Sequence, residues 1–397
     1  MSDILNRAVI RAAVRTPMGS FQGTLSTVAA VDLGAIAIQA ATQRAAVAGD
    51  VVDEVVMGMV LSAGAGQAPA RQAAIHGGLP SSVPCTTINK VCGSGLKSVM
   101  HAAQAIATGD AQTVVAGGME CMSQAPYLLP QARGGYRMGA GELVDAMIHD
   151  GLWDPFGQSG MGDYGELCAA EKGFSREAQD AYAIRSYERA LAAQQTGAFA
   201  EEIVPVEVTS RRKTAIVSTD EEPERFQPER MPQLRPAFSP TGSITAATAS
   251  KISDGAAAVV LQSETLPRSS RGLVLARIVA SASFAHEPKW FTTAPAFAIR
   301  RALEKAELRV ADISLFEINE AFAVVAMAAV AELNLPEDRV NVRGGAISLG
   351  HPIGCSGTRV LVTLVHALRQ SGQRYGCAAL CIGGGEAVAM IVENPDA

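Results

Sequence analysis

Charge is sparse in this 397-residue chain and aromatic rings are sparser, with 18% charged residues and 5% Phe, Trp and Tyr. The basic residues are scattered except for the short Arg211-Arg212-Lys213 run, and the formal charge is −6, so nothing resembles a nucleic-acid footprint. Long hydrophobic runs are missing too. AFAVVAMAAVAEL at 321–333 falls well short of the roughly 20 residues that a membrane span needs, so no membrane association is expected. The N-terminus, MSDILNRAVIRAAVRTPMG, lacks a basic head followed by a long apolar stretch, which favours a cytoplasmic location. Seven cysteines without a secretion signal point to reduced thiols rather than structural disulfides. There is no CxxC pair of the kind a thiol redox protein uses. Cys377 and Cys381 form a lone CAALC with no second pair at ligand spacing, so no metal is expected. In a strand those two side chains share a face.

Hydrophobic residues, at 48%, are ample for a large core. The first third alternates strand-like and helix-like segments: a strand at 8–15, a helix at 32–46, a strand at 51–60, a helix at APARQAAIH, a strand approaching Cys92, a helix from Ser94 to about Thr108, and the strand QTVVAGG. This is α/β order. After Glu120 the rhythm fails, and residues 121–252 read as an insertion over the active site. It contains one clear helix at 175–195, with Ser175 as its N-cap and Glu177 in the first turn. SDGAAAVVLQS at 253–263 is a strand that should rejoin the first sheet, and a second set of strands and helices follows. VCGSGLKSV at 91–99 followed by VVAGGME parallels GCSGTRVLV at 354–362 followed by CIGGGEA. The echo implies duplication, with two similar halves packed about a pseudo-twofold axis. The domains are expected at 1–121 with 253–271, at 122–252 for the inserted loop domain, and at 272–397.

Four residues draw attention as chemistry. Cys92 stands between a strand and a helix that begins GSGL, where a helix N-terminus should favour thiolate over thiol. His351 lies in GHPIG, on a glycine-flanked turn rather than an apolar face. Cys381 leaves a strand directly into three glycines, whose N–H groups can serve a developing oxyanion. Asn319, in INEAFA, sits at a strand–helix junction where an amide serves as an N-cap. His76, His101, His149, His286 and His366 fall in helices or loops without such settings.

Taken in order, NKVCGSGLKSV, SDGAAAVVL, NEAFA, NVRGGAISLGHPIGCSG and LCIGGGEA resemble the thiolase family, and the likeness runs from RTPMGSFQG at 15–23 to the last strand. The resemblance implies a five-layered αβαβα fold and an acyltransferase running a reversible, two-step Claisen condensation of two acetyl-CoA to acetoacetyl-CoA and coenzyme A. It implies Cys92 as the acylated nucleophile, His351 as its activator, and Cys381 as the acid–base at carbon. Asn319, holding a water, and His351 would form one oxyanion hole, and the N–H groups of Cys92 and Gly383 the other. It also implies coenzyme A contacts at Ser250, Arg225 and Met161, no permanently bound cofactor, acyl-CoA and coenzyme A as the only small-molecule partners, and a homodimer or homotetramer. Ala247-Thr248, Lys251 and Gly160 depart from the family's commonest coenzyme A pattern, and Phe291 stands where methionine is common. The lysine of CGSGLKSV resembles the acetoacetyl-CoA type, against an alternative of broader chain length in fatty-acid β-oxidation. A decarboxylating ketoacyl synthase would need a second histidine or asparagine in place of Cys381. A silent acyl-CoA carrier would have no use for Cys92, His351 and Cys381 together.

Overall fold

Two stretches with the same order of elements fold into matching halves, in a computed structural model that describes residues 7–209, 214–267 and 272–397. The Arg211-Arg212-Lys213 run lies outside the described residues. The first half comprises β1 (Ala8–Arg15), α1 (Ala30–Ala45), β2 (Glu54–Gly58), α2 (Pro69–His76), β3 (Cys85–Ile88), α3 (Ser94–Thr108) and β4 (Thr113–Cys121). The intervening segment carries α4 (Met161–Lys172) and α5 (Arg176–Gln195), and β5 (Ser253–Ser263) then returns to the first sheet. The second half comprises β6 (Ala276–Ala285), α6 (Ala294–Ala306), β7 (Leu315–Ile318), α7 (Ala323–Leu333), α8 (Ser356–Ser371), β8 (Tyr375–Ile382) and β9 (Glu386–Glu393).

The duplication is plain in the pairing. The first half runs β1-β5-β4-β2-β3, antiparallel for the first two pairs and parallel for the last two. The second runs β6-β9-β8-β7 with the same sequence of directions, and Val340 bridges Phe316 in parallel where the counterpart of β3 belongs. The halves join where Val9 and Ile10 of β1 meet Arg277 and Ala276 of β6.

Between the halves lie α3 and α8. Leu96, Val99, Val360 and Leu364 from these helices bury themselves with Val114, Val259, Leu380 and Val388 from both halves of the sheet. Outside, α1 and α2 cover the first half and α6 and α7 the second, which gives the expected five layers. Successive strand side chains face opposite sides, so Val114 meets the central helices while Val115 meets the α1 layer. With both faces covered, β4 reads as a continuous apolar run rather than an alternating one.

The central helices cross at two glycines. A Cβ on Gly95 would stand 2.7 Å from Thr358 N, and one on Gly357 only 2.2 Å from Leu96 N. This crossing corrects the sequence echo by one residue: Ser94 and Ser356 each begin their helix, so Cys92 corresponds to Gly354 rather than to Cys355. The strand expected over 51–60 is also shorter. Gly49–Val51 forms a 3-10 turn, and beyond Gly58 the N–H groups of Val60 and Leu61 turn to the Glu120 carboxylate. Ser175 caps α5 as expected, its hydroxyl accepting from Ala178 N at 3.2 Å.

Candidate active site

The turn from β3 into α3 presents Cys92 immediately before the helix, whose N-cap is Gly93. Val91 has φ of 44°, a left-handed conformation that a β-branched residue adopts only under constraint. Ser94 supplies that constraint: its hydroxyl accepts from Lys90 N at 2.8 Å and donates to Val91 O at 2.7 Å. Gly93 abuts Ile382, so the Cys92 turn is pressed against the glycine turn after β8. The N–H groups of Gly383 and of Cys92 itself are directed at the Cys92 sulfur, and the Cys381 thiol is close enough to feel its charge.

His351 is 5% exposed and held from three sides. Its N–H lies 2.9 Å from Lys251 O and 3.2 Å from Ser253 Oγ. Its Nδ1 is 2.6 Å from Ser356 Oγ, and that hydroxyl donates to Pro352 O at 2.9 Å. Since the serine proton is committed to the carbonyl, Nδ1 must be the protonated ring nitrogen and Nε2 the free base. Asn319 Nδ2 lies 3.4 Å from that Nε2. Ser356, the ring's partner, is not among the residues the sequence singles out; its position five residues after His351, at the first residue of a helix, was the available signal.

Asn319 is not an N-cap. Phe322 holds that place on α7, while Asn319 continues the end of β7, with its N–H on Ala379 O at 2.9 Å. Its side chain is fully buried, and Oδ1 has no hydrogen-bond partner among the described residues. A buried amide oxygen left unpaired is costly, so the atom is placed to accept from a water or a substrate group.

The thiolate expected at Cys92 is also corrected. Burial pushes the thiol up to about 11, against the opposing pull of the Gly383 and Cys92 N–H groups. Burial, and secondarily the charge of Arg359, push His351 down to about 3. At Cys92 desolvation outweighs the helix terminus and disfavours the thiolate, and at His351 it disfavours the charged ring. Cys381 is pushed well above the ordinary thiol range by burial and by Cys92.

Met161, at the start of α4, brings its sulfur to 3.2 Å from where a Gly383 Cβ would stand, and it packs with Cys381, Phe291 and Phe322. Phe291 is 2% exposed and meets Phe322 edge-on, with ring centroids 6.4 Å apart. Met161 and bulky Phe291 therefore pack around the second thiol. Ser250 is further out, tied through its N–H to Ala321 O at 2.9 Å. Arg225 stands apart from the thiols, ion-paired with Glu221 and Glu222. With Lys251, Phe226 and Tyr187 it lines a cavity of about 410 Å³. The Tyr187 and Phe226 rings stack there with centroids 4.9 Å apart. Burial lowers Lys251 to about 8.

Comparison with known proteins places the chain in a family. Residues 8–265 match the family model for the thiolase N-terminal domain, and residues 273–394 the model for the thiolase C-terminal domain. The chain is 52% identical over 382 residues to acetyl-CoA acetyltransferase 2 of Arabidopsis thaliana, covering 96% of this chain and 95% of that protein. It is 49% identical over 392 residues to acetyl-CoA acetyltransferase of Escherichia coli strain K12, covering 98% and 100%. The crystal structure of Acat5 thiolase from Ascaris suum in complex with coenzyme A superposes with a TM-score of 0.93 at 45% identity, covering 98% of this chain and 100% of that one.

Proposed function

The chain belongs to the thiolase family, and we propose that it is an acetyl-CoA C-acetyltransferase in which Cys92 carries the acetyl group and Cys381 handles the proton at carbon. The observation that carries this division of labour is the approach of two thiols, Cys92 and Cys381, on opposed glycine turns, with the N–H groups of Cys92 and Gly383 directed at the first of them.

In the first step the Cys92 sulfur attacks the thioester carbonyl of acetyl-CoA while its proton passes to His351 Nε2. The gap between a thiol near 11 and an imidazole near 3 leaves no ion pair at rest, so the proton moves as the S–C bond forms. The carbonyl oxygen gains negative charge and takes the N–H groups of Cys92 and Gly383. The departing coenzyme A thiolate takes the Cys381 proton, which leaves Cys381 as a thiolate. In the second step that thiolate removes a proton from the methyl of another acetyl-CoA. A thiol whose buried site disfavours its charge is a strong base once deprotonated. The enolate oxygen is met by the imidazolium of His351 and by a water held at Asn319. The carbon attacks acetyl-Cys92, the C–C bond forms and the S–C bond breaks, and the Cys92 sulfur recovers its proton from His351. Acetoacetyl-CoA leaves with both cysteines protonated again, and every step is reversible.

Phe291 beside Cys381 favours a small acyl group over the broader chain-length alternative. Coenzyme A thioesters enter and leave as substrates past Met161 and Ser250, Arg225 reaches the distal part of coenzyme A, and no cofactor stays bound. The proposed setting is cytoplasmic lipid metabolism, as a homodimer or homotetramer. Strand β3 supports the assembly, since among the described residues it pairs on one side alone. So do Tyr127, Leu129, Met138 and Leu143, which expose 63%, 50%, 99% and 64% of their surface around one small hairpin. The test is to incubate the protein with acetyl-CoA, quench in acid and map the peptide that gains an acetyl group. An adduct away from Cys92, or none, sinks the reading.

A further inference from the structure

Glu120 closes β4 with its side chain fully buried, and the steps above give it no part. Its carboxylate is held by three backbone N–H groups: Val60 at 3.0 Å, Leu61 at 3.2 Å and Gly354 at 2.9 Å. Two of these come from the loop after β2, in the first half. The third comes from the turn that carries His351, in the second half. A carboxylate that merely satisfied a loop would draw its donors from one side.

The contact is also tight. A Cβ on Gly354 would stand 2.6 Å from Glu120 Oε2, and one on Gly118, two residues before Glu120, would stand 2.1 Å from Gly354 O. Next to Gly354, Ile353 packs in one small cluster with Val60, Leu61 and Met122, against which Cys92 also rests. The nucleophile and its base therefore sit on turns from different halves of the duplication, and Glu120 grips the base's turn from the nucleophile's side.

We propose that Glu120 is a positioning residue: its carboxylate clamps the His351 turn onto the first half and so fixes the distance and angle at which His351 meets the Cys92 thiol. The proposal rests on the reading that Cys92 and His351 carry the acyl transfer. It makes the protonation state of Glu120 matter. An ionised carboxylate accepts all three N–H groups, whereas a protonated one turns an O–H against one of them and loosens the grip.

Burial, opposed by those N–H groups, raises this carboxyl to about 7. The ionisable groups facing it are Asp254 on β5, Cys121 on its own strand, Cys92 before α3 and Cys355 before α8. Burial raises all of the thiols and raises the Asp254 carboxyl as well, against the pull of Ser123 N and Oγ at 2.9 and 2.7 Å. His351, near 3, lies outside that range.

The experiment is the single-turnover rate of Cys92 acetylation by acetyl-CoA, followed by rapid quench and mass from acid to alkaline pH, for the wild type and for Glu120→Gln. For the wild type we expect the rate to fall on the acid side as a single proton is taken up, with a midpoint near 7. Glu120→Gln, which imitates the protonated state, is expected to be slower by roughly tenfold to a hundredfold at pH 8, the scale of a 1 Å misplacement. It should lack the acid limb and keep its affinity for coenzyme A. A variant that acetylates at the wild-type rate, or that retains the limb, overturns the proposal and leaves the assignment of Cys92 standing. If the variant does not fold, the wild-type profile decides, and a profile without that limb overturns it. A wild-type adduct on another residue removes the premise and the proposal with it.

Discussion

His351 Nδ1 and Ser356 Oγ lie 2.6 Å apart, and this contact fixes which imidazole nitrogen is free to act. Ser356 donates its one proton to Pro352 O, so it can only accept from the ring. Ser356→Ala should leave Nδ1–H buried without a partner, at a cost of about 1–3 kcal/mol, and let the ring turn. The expected result is a loss in kcat of roughly tenfold to a hundredfold in acetoacetyl-CoA thiolysis, within the range of general base catalysis. Coenzyme A binding should be unchanged. Wild-type kcat in the variant would show that the tautomer is set by something else.

The resting Cys92 thiol should behave as a weak nucleophile. Only the thiolate alkylates, and its fraction grows about tenfold for each pH unit below the thiol's own value. With that value near 11, labelling of Cys92 by iodoacetamide should climb by about a hundredfold from pH 7 to 9 without levelling. A plateau at or below neutral pH would mean that a thiolate–imidazolium pair exists before substrate arrives.

Replacing Cys381 with serine separates the two steps. Acetylation of Cys92 by acetyl-CoA should survive, because a neighbouring hydroxyl or water can protonate the leaving thiolate. Condensation should disappear, because a serine hydroxyl is too weak an acid to leave a usable base at that place. Quenched mass measurement of the acetyl-enzyme, beside an assay for acetoacetyl-CoA, reads the two steps independently. Equal loss of both would contradict the split.

Gly357→Ala probes the crossing of the two central helices. The added methyl would come within 2.2 Å of Leu96 N, and backbone cannot yield as a side chain can. Overpacking of this kind costs typically about 1–3 kcal/mol, and here the strain falls on the first turns of α3, which follows the Cys92 turn, and of α8, which Ser356 begins. We expect a lower thermal midpoint and reduced activity together. A variant with unchanged melting would mean that the helices have room to separate.

Much of this molecule was legible in its residues because the signals were local. The apolar runs within β4 and β5, the Ser175 cap and the α3 span from Ser94 to Thr108 follow from patterning and capping, and the structure repeats them. The glycine turns around Cys92, His351 and Cys381 marked themselves as places where backbone must approach a ligand. Other features were hidden because they depend on groups distant in sequence. The true register of the duplication follows from Gly95 meeting Gly357, not from the cysteines that look alike. Asn319 resembled a cap until Phe322 took that place.

The sequence by itself determined which side chains are candidates for the chemistry and that the fold is a duplicated α/β architecture, since residue type, spacing and period are local properties of the chain. Only the tertiary structure decided their state. Whether Cys92 is thiol or thiolate depends on how completely neighbours strip it of water, and that balance ran against the helix terminus. Which nitrogen of His351 is the base depends on a serine whose proton is held by a carbonyl. The turn that carries His351 is joined to the first half by N–H groups from both halves converging on Glu120. Desolvation and hydrogen-bond partnership are set by what the fold brings close.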